Sequence, residues 1–217
     1  MSDGALLSAY LPTRRQRALL VGQTGSGKTT LATHMLKSYS YVVALDPKIT
    51  LGSTEEEPDS WLEGYELCRT PEELAAAAAT CPLLQYRPDP AYQDWESWDR
   101  VYWWLFEARN RVVYTDEVNL VCRGPRPTDG MRACVTSGRE RGIGMLHATQ
   151  RPAAIPQILY SESEHIYVFR LEKRDDRRRL SEGGMPELVL EEPAERYWFW
   201  HKNAEGNTTY LRLNLGS

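Results

Sequence analysis

The chain has 217 residues, 41% of them hydrophobic and 26% charged, which suits one α/β domain with a proper core and leaves no room for a second large one. A net charge of −4 excludes a uniformly basic nucleic-acid coat, although it permits a local basic stripe. No apolar run approaches the roughly 18–20 residues of a membrane span, and Met1 to Thr13 lacks a basic stretch followed by an apolar core. The chain therefore reads as intracellular, with no transmembrane segment.

Short β-rich runs alternate with helical stretches, the pattern of βαβ units around a mainly parallel sheet. Arg17–Val21 is the first predicted strand and Lys28–Ser38 the first helix. Tyr41–Leu45 is a second strand, ending at Asp46-Pro47-Lys48, and the acidic, turn-rich segment Gly52–Gly64 is an exposed loop. Thr70-Pro71-Glu72-Glu73 places a cap, a first-turn proline and a Glu three residues after the cap, so a helix opens here and runs through Ala75–Ala79. Leu83–Arg87 is a strand. Tyr92–Asn110 is a helix whose tryptophans at 95, 98, 103 and 104 fit a core or a subunit face better than a cofactor box. Further on come strand Arg111–Thr115, helix Asp129–Arg141, strand Ile143–Thr149, short helix Ile155–Ser161 and strand Ile166–Leu171. Arg196–Trp200 and Thr208–Arg212 flank Asn203–Asn207 as a closing hairpin. The division is an extension over 1–16, a core over 17–171 and a C-terminal helix and hairpin over 172–215, all one domain. Gly216-Ser217 has the form of a cloning remnant. Cys68, Cys81, Cys122 and Cys134 form no C-x-x-C pair and read as free, buried thiols.

Gly22-Gln23-Thr24-Gly25-Ser26-Gly27-Lys28-Thr29 matches G-x-x-x-x-G-K-[ST] at every fixed position, between an apolar strand and a helix. In such a loop the glycines let backbone N–H groups wrap a β-phosphate, and the N-terminus of the next helix, through Thr30, adds a favourable dipole. Lys28 would neutralise β/γ-phosphate charge and the Thr29 hydroxyl would ligate Mg²⁺, so ATP and Mg²⁺ are the expected ligands. The strand Arg111–Thr115 ends in Asp116-Glu117. Ligands of parallel sheets bind beyond the carboxyl ends of the strands, so Asp116 would reach the Mg²⁺ sphere and Glu117 would polarise the attacking water. A hydrolase needs that second carboxylate, whereas a kinase or a GTPase does not. The strand ending at Thr149 finishes in Gln150, whose amide could bond both γ-phosphate and lytic water.

These residues, with Asp46-Pro47-Lys48 and the run from Gly138-Arg139-Glu140-Arg141-Gly142-Ile143 to Ala148-Thr149-Gln150-Arg151-Pro152, resemble the FtsK/HerA superfamily of DNA-pumping ATPases. The resemblance spans about 17–171. It implies a RecA-like P-loop NTPase core, a homo-oligomeric ring of five or six subunits, and a role for Arg139, with Arg141 as the alternative, as an arginine finger reaching into a neighbour's site. With only 21 residues before the phosphate loop, the chain looks most like the minimal genome-packaging ATPases of tailless, membrane-containing DNA viruses. That implies double-stranded DNA and capsid or portal-vertex proteins as partners, in host cytoplasm or docked at the packaging vertex.

Arg123, Arg126 and Arg132 lie just past the acidic pair and could grip DNA phosphates. Lys173–Arg179 is a second basic segment, but its interleaved aspartates fit a solvated helix face. Two other readings stay open: a P-loop kinase using Arg174–Arg179 as a lid, and an assembly or export ATPase without DNA pumping.

Overall fold

In a computed structural model of the chain, residues 10–54, 56–57, 60–186 and 196–213 are described. The extension up to residue 9, the stretch 187–195 and the expected remnant at 216–217 lie outside them. The elements in chain order are β1 (Arg17–Val21), α1 (Lys28–Leu36), β2 (Val42–Leu45), β3 (Glu66–Cys68), α2 (Pro71–Ala77), β4 (Leu83–Tyr86), α3 (Trp95–Ala108) and β5 (Val112–Thr115). There follow α4 (Asp129–Ser137), β6 (Gly144–Thr149), α5 (Ile158–Ser161), β7 (His165–Val168), α6 (Arg174–Glu182), β8 (Trp198–Lys202) and β9 (Thr208–Arg212).

One nine-stranded sheet has the order β3-β4-β2-β5-β6-β1-β7-β8-β9. The first seven strands in that order are parallel, and β8 and β9 add antiparallel to the β7 edge. Parallel strands buried on both faces require continuous apolar runs rather than alternation, and β1, β2, β5 and β6 are buried at every position. Leu31, Met35 and Leu36 of α1 pack with Leu20, Ala44 and Tyr114 on one face. Residues of α2–α6 pack with Leu19, Val43, Val113 and Met145 on the other.

The cap read at Thr70 is present: its side chain accepts from the Glu73 N–H at 3.1 Å, and Glu73 Oε2 accepts from the Thr70 N–H at 3.3 Å. The helix expected over Asp129–Arg141 stops at Ser137, and a 3₁₀ turn over Gly138–Arg141 carries the chain into β6. The edge strand β3 had no signal, because three residues with only Cys68 buried leave no periodicity to read. Helix α3 buries Trp98, Val101, Tyr102 and Leu105 and leaves Trp103 on the surface, so its tryptophans divide between core and exterior. Across the terminal hairpin, Trp198 stacks on Tyr210 at 4.8 Å between ring centroids and Trp200 meets the same ring tilted by 35° at 4.6 Å. Such cross-strand aromatic pairs hold an edge hairpin in register.

Three histidines sit inside this fold. His165 Nδ1 lies 2.9 Å from His201 Nε2, joining β7 to β8. His147 is flanked by Leu19 and Thr115 on the neighbouring strands, and among the described residues neither of its ring nitrogens has a partner. Burial lowers the His147 pKa to about 3; burial and then the His165 charge lower that of His201 to about 4. These imidazoles bind fewer protons folded than unfolded. Their stabilisation is therefore complete above an unfolded pKa of about 6.5 and declines as pH falls toward their folded values. Urea midpoints should drop between about pH 7 and about pH 4.5, and His147→Leu should shrink that drop. An equal drop in the variant would exclude His147 as a source.

Candidate active site

The phosphate loop joins β1 to α1. Helices α2, α3 and α4 each open on a side chain that caps a backbone N–H, from Thr70, Asp94 and Thr128. Helix α1 opens on Gly27, with φ 112° and no side-chain cap, so its first amides are left for a ligand's oxygens. Gly27 also leaves no room for a side chain, since a Cβ there would meet the Tyr197 ring at 2.7 Å.

A cavity of about 140 Å³ opens over this loop, lined by Thr24, Gly25, Gly27, Lys28, Thr29 and Thr30. Asp116, Glu117 and Gln150 line it as well. Sheet order explains the meeting. β6 lies between β1 and β5, so the phosphate loop, the acidic pair and Gln150 leave three adjacent strands at the same end. Gln23 lies beneath the loop, its N–H donating to Arg170 O at 2.9 Å, and Ser26 Oγ donates to Gln23 O at 2.8 Å. Gly22 N–H reaches Thr149 O at 3.2 Å and ties the loop to β6.

Glu117 has left-handed backbone, φ 57° and ψ 61°. Its Oε1 accepts from the Gln150 amide at 2.9 Å and lies 3.1 Å from Thr149 Oγ1. Gln150 Oε1 in turn accepts from the Thr24 hydroxyl at 2.7 Å. Gln150 is half-buried rather than enclosed, and bridges the phosphate loop to the carboxylate. Asp116 Oδ1 accepts from Tyr114 Oη at 2.8 Å, and burial raises the Asp116 pKa. Asp116 and the Thr29 hydroxyl are hard oxygen donors on one cavity, as Mg²⁺ prefers. Among the described residues no group of three or more His, Cys, Asp or Glu could hold a metal, so this pair suits an ion completed by water and phosphate oxygens.

Lys28 Nζ donates to Gln23 O at 3.0 Å. Burial lowers its pKa to about 8, against the opposing pull of Glu117 and Asp116. Sequence reasoning gave no role to Lys48 and did not single out three further lining residues, Thr50, Arg196 and Tyr197. Tyr197 arrives because β8 runs antiparallel to β7, so its start falls at the carboxyl end of the parallel strands. The Tyr197 N–H donates to Ser26 O at 3.2 Å, and the Arg196 guanidinium lies 4.8 Å from the Tyr197 ring centre. No local pattern in the sequence links residue 197 to residue 26.

The remaining candidates are elsewhere. Arg139 pairs with Glu164 at 3.5 Å at the start of β6, about 20 Å from the cavity by the length of that strand. Its side chain is 65% exposed. Arg141 is engaged within the chain, donating to Phe106 O at 3.3 Å and stacking on the Phe106 ring at 3.9 Å. Arg123 and Arg126 form a tight turn with mutual backbone bonds of 3.0 and 3.3 Å. Arg123 also lies over Trp95 at 4.8 Å, while Arg132 is separated from that turn on α4.

A phosphate loop on β1, an acidic pair on β5 and an interposed β6 define a P-loop ATPase with a RecA-like core. Over 174 residues the chain is 27% identical to the DNA packaging ATPase P9 of Enterobacteria phage PRD1, covering 80% of this chain and 72% of that protein. The genome packaging NTPase B204 of Sulfolobus turreted icosahedral virus 2, solved with ATP-gammaS, superposes with a TM-score of 0.74. It is 16% identical, over 94% of this chain and all of that one. The pCW3 conjugation coupling protein TcpA superposes at 0.59 with 15% identity, over 91% of this chain and 60% of that one. No protein-family model matches. The expected resemblance to viral genome-packaging ATPases is borne out by the likeness to P9.

Because Lys28 must be protonated to neutralise phosphate, ATP affinity should fall as pH rises through about 8, by about tenfold per pH unit beyond it. Titrations from about pH 7 to about pH 9.5 check this. Affinity that is flat across that range would mean that Lys28 either keeps its proton throughout or makes no phosphate contact.

Proposed function

We propose that the chain hydrolyses ATP to move double-stranded DNA into a viral capsid, as one working unit within a homo-oligomeric ring. The observation that carries this reading is Glu117, fixed by the end of β6 to a residue that also holds the phosphate loop. A second carboxylate tied to both the loop and its neighbouring strand suits a base that must act only when a γ-phosphate is present. The likeness to the DNA packaging ATPase P9 supplies the direction of the work.

In this reading Gly22–Thr30 cradle the phosphates and Lys28 neutralises β/γ charge. Thr29 and Asp116 hold Mg²⁺, which supplies charge neutralisation on the phosphate oxygens. Glu117 takes the proton of the attacking water, and Gln150 senses the γ-phosphate through the bond it now makes with Thr24. Arg139 is too far to serve its own cavity, and its exposure suits service to a neighbour's, which makes a ring necessary for full activity. Arg123, Arg126 and Arg132 are exposed, Arg123 in a solvent-exposed ion pair with Glu96 at 3.5 Å that DNA phosphates would have to displace. The kinase alternative is disfavoured by α6, which is pinned rather than lid-like: Asp176 is buried and accepts from the Ala153 N–H at 3.0 Å. Among the described residues no helix is long and apolar enough to cross a membrane. Work at a capsid vertex from the host cytoplasm completes the reading.

ATPase rate measured with and without double-stranded DNA is the deciding assay, and DNA should raise it. Glu117→Gln should bind ATP yet lose hydrolysis by about 10²-fold or more, the range of a positioned general base; near-normal turnover would remove Glu117 from the mechanism. Arg139→Ala should lose about 10³-fold while still binding ATP. Mixing it with Lys28→Ala subunits should restore part of the rate, and no recovery in a co-assembled mixture would place Arg139 outside any shared site. Replacing Arg123, Arg126 and Arg132 together should flatten the slope of log DNA affinity against log salt.

A further inference from the structure

The cavity has two ends. Arg196 and Tyr197 lie at the β8 side of the phosphate loop, and Lys48 with Thr50 at the β2 side, beyond the acidic pair on β5. A nucleotide whose β-phosphate sits in the loop and whose γ-phosphate faces Asp116 and Glu117 therefore points its γ end toward Lys48. The Lys48 side chain is exposed, and among the described residues no hydrogen bond or ion pair fixes it. Its charge nonetheless acts on Lys28, so the two ammonium groups share one cavity.

The turn that carries Lys48 is anchored by a buried hydrogen-bond network. Asp46 is fully buried and accepts from the Thr50 N–H at 3.0 Å, the Leu51 N–H at 3.1 Å, Gln85 Nε2 at 3.1 Å and Arg87 Nε at 2.8 Å. Gln85 and Arg87, also buried, both donate to Leu51 O at 2.8 Å. Between these anchors Ile49 is held at φ 61°, a conformation that a β-branched residue rarely adopts. Such strain persists only where the surroundings over-determine it, and it gathers at functional sites. Ile49 itself lies between two lining residues, Lys48 and Thr50, and Glu117 and Tyr197, which do line the cavity, are also left-handed, at φ 57° and 70°.

We propose that Lys48 is a second phosphate-binding cation, which contacts the γ-phosphate of ATP and has nothing to contact in ADP. The inference rests on the ATPase reading of the cavity and deepens it. Lys48 lets the chain tell ATP from ADP before any neighbour docks, and it stabilises the charge on the departing γ-phosphoryl group. The Asp46 network is the positioning element, since it fixes the backbone on both sides of the lysine.

The test measures binding of ADP and of ATPγS, each with Mg²⁺, to the whole chain and to Lys48→Ala and Lys48→Gln. ADP affinity should stay within about twofold, which also reports an intact fold. ATPγS affinity should fall about tenfold, and kcat about 100-fold, the scale of losing one group aimed at transition-state charge. Lys48→Arg should recover part of both. Equal losses for ADP and ATPγS, or no loss for either, would overturn the proposal. A wild-type chain that hydrolyses no ATP even when assembled and supplied with double-stranded DNA would sink the hydrolytic reading instead, while the comparison of the two nucleotides would still decide the role of Lys48.

Discussion

The site depends on one arrangement: Glu117 Oε1 is bound by the backbone and hydroxyl of β6, not by the strand it follows. With left-handed backbone at Glu117, the acidic pair splits. Asp116 turns to Tyr114, while Glu117 crosses to Thr149 and Gln150. Two like charges adjacent in sequence thus face different partners, which gives each a separate role. The same end of β6 receives Gly22 and Thr24 from the phosphate loop. Moving β6 by a fraction of an ångström would disturb loop, base and bridge together, and a switch driven by one phosphate needs that coupling.

A second constraint lies on the far side of β5. A carboxylate at 0% exposure is tolerated only when its lone pairs are filled and its charge is matched. Asp46 meets both conditions through Arg87 and three further donors. Removing either partner of that pair would leave an uncompensated buried charge, at a cost of about 3–5 kcal/mol. The chain keeps this polar knot where an apolar one would also pack, and what the knot holds is backbone, from residue 46 to residue 51.

The sheet and phosphate loop were legible because their signals are local. Buried parallel strands are short apolar runs, and the loop is eight consecutive residues. Asp116, Glu117 and Gln150 were legible because carboxyl ends of parallel strands converge. Lys48 was visible only as part of a resemblance, since nothing in Asp46-Pro47-Lys48 reveals that residues 85 and 87 hold the turn. Tyr197 could not be read at all, because its position follows from the antiparallel direction of β8. The basic segment 173–179 shows the opposite failure. Its two aspartates looked equivalent in sequence, yet Asp175 is exposed and Asp176 is an interior anchor.

The bond from Tyr197 to Ser26 joins positions 171 residues apart, counting 197 minus 26. During synthesis the phosphate loop emerges early, on β1, and the strand that buttresses it emerges late. For most of translation the loop therefore lacks its support, and the uncapped start of α1 faces solvent. The phosphate loop and its Tyr197 support can meet only once β8 has added to the edge of β7, so the first and last parts of the described sheet complete the site together.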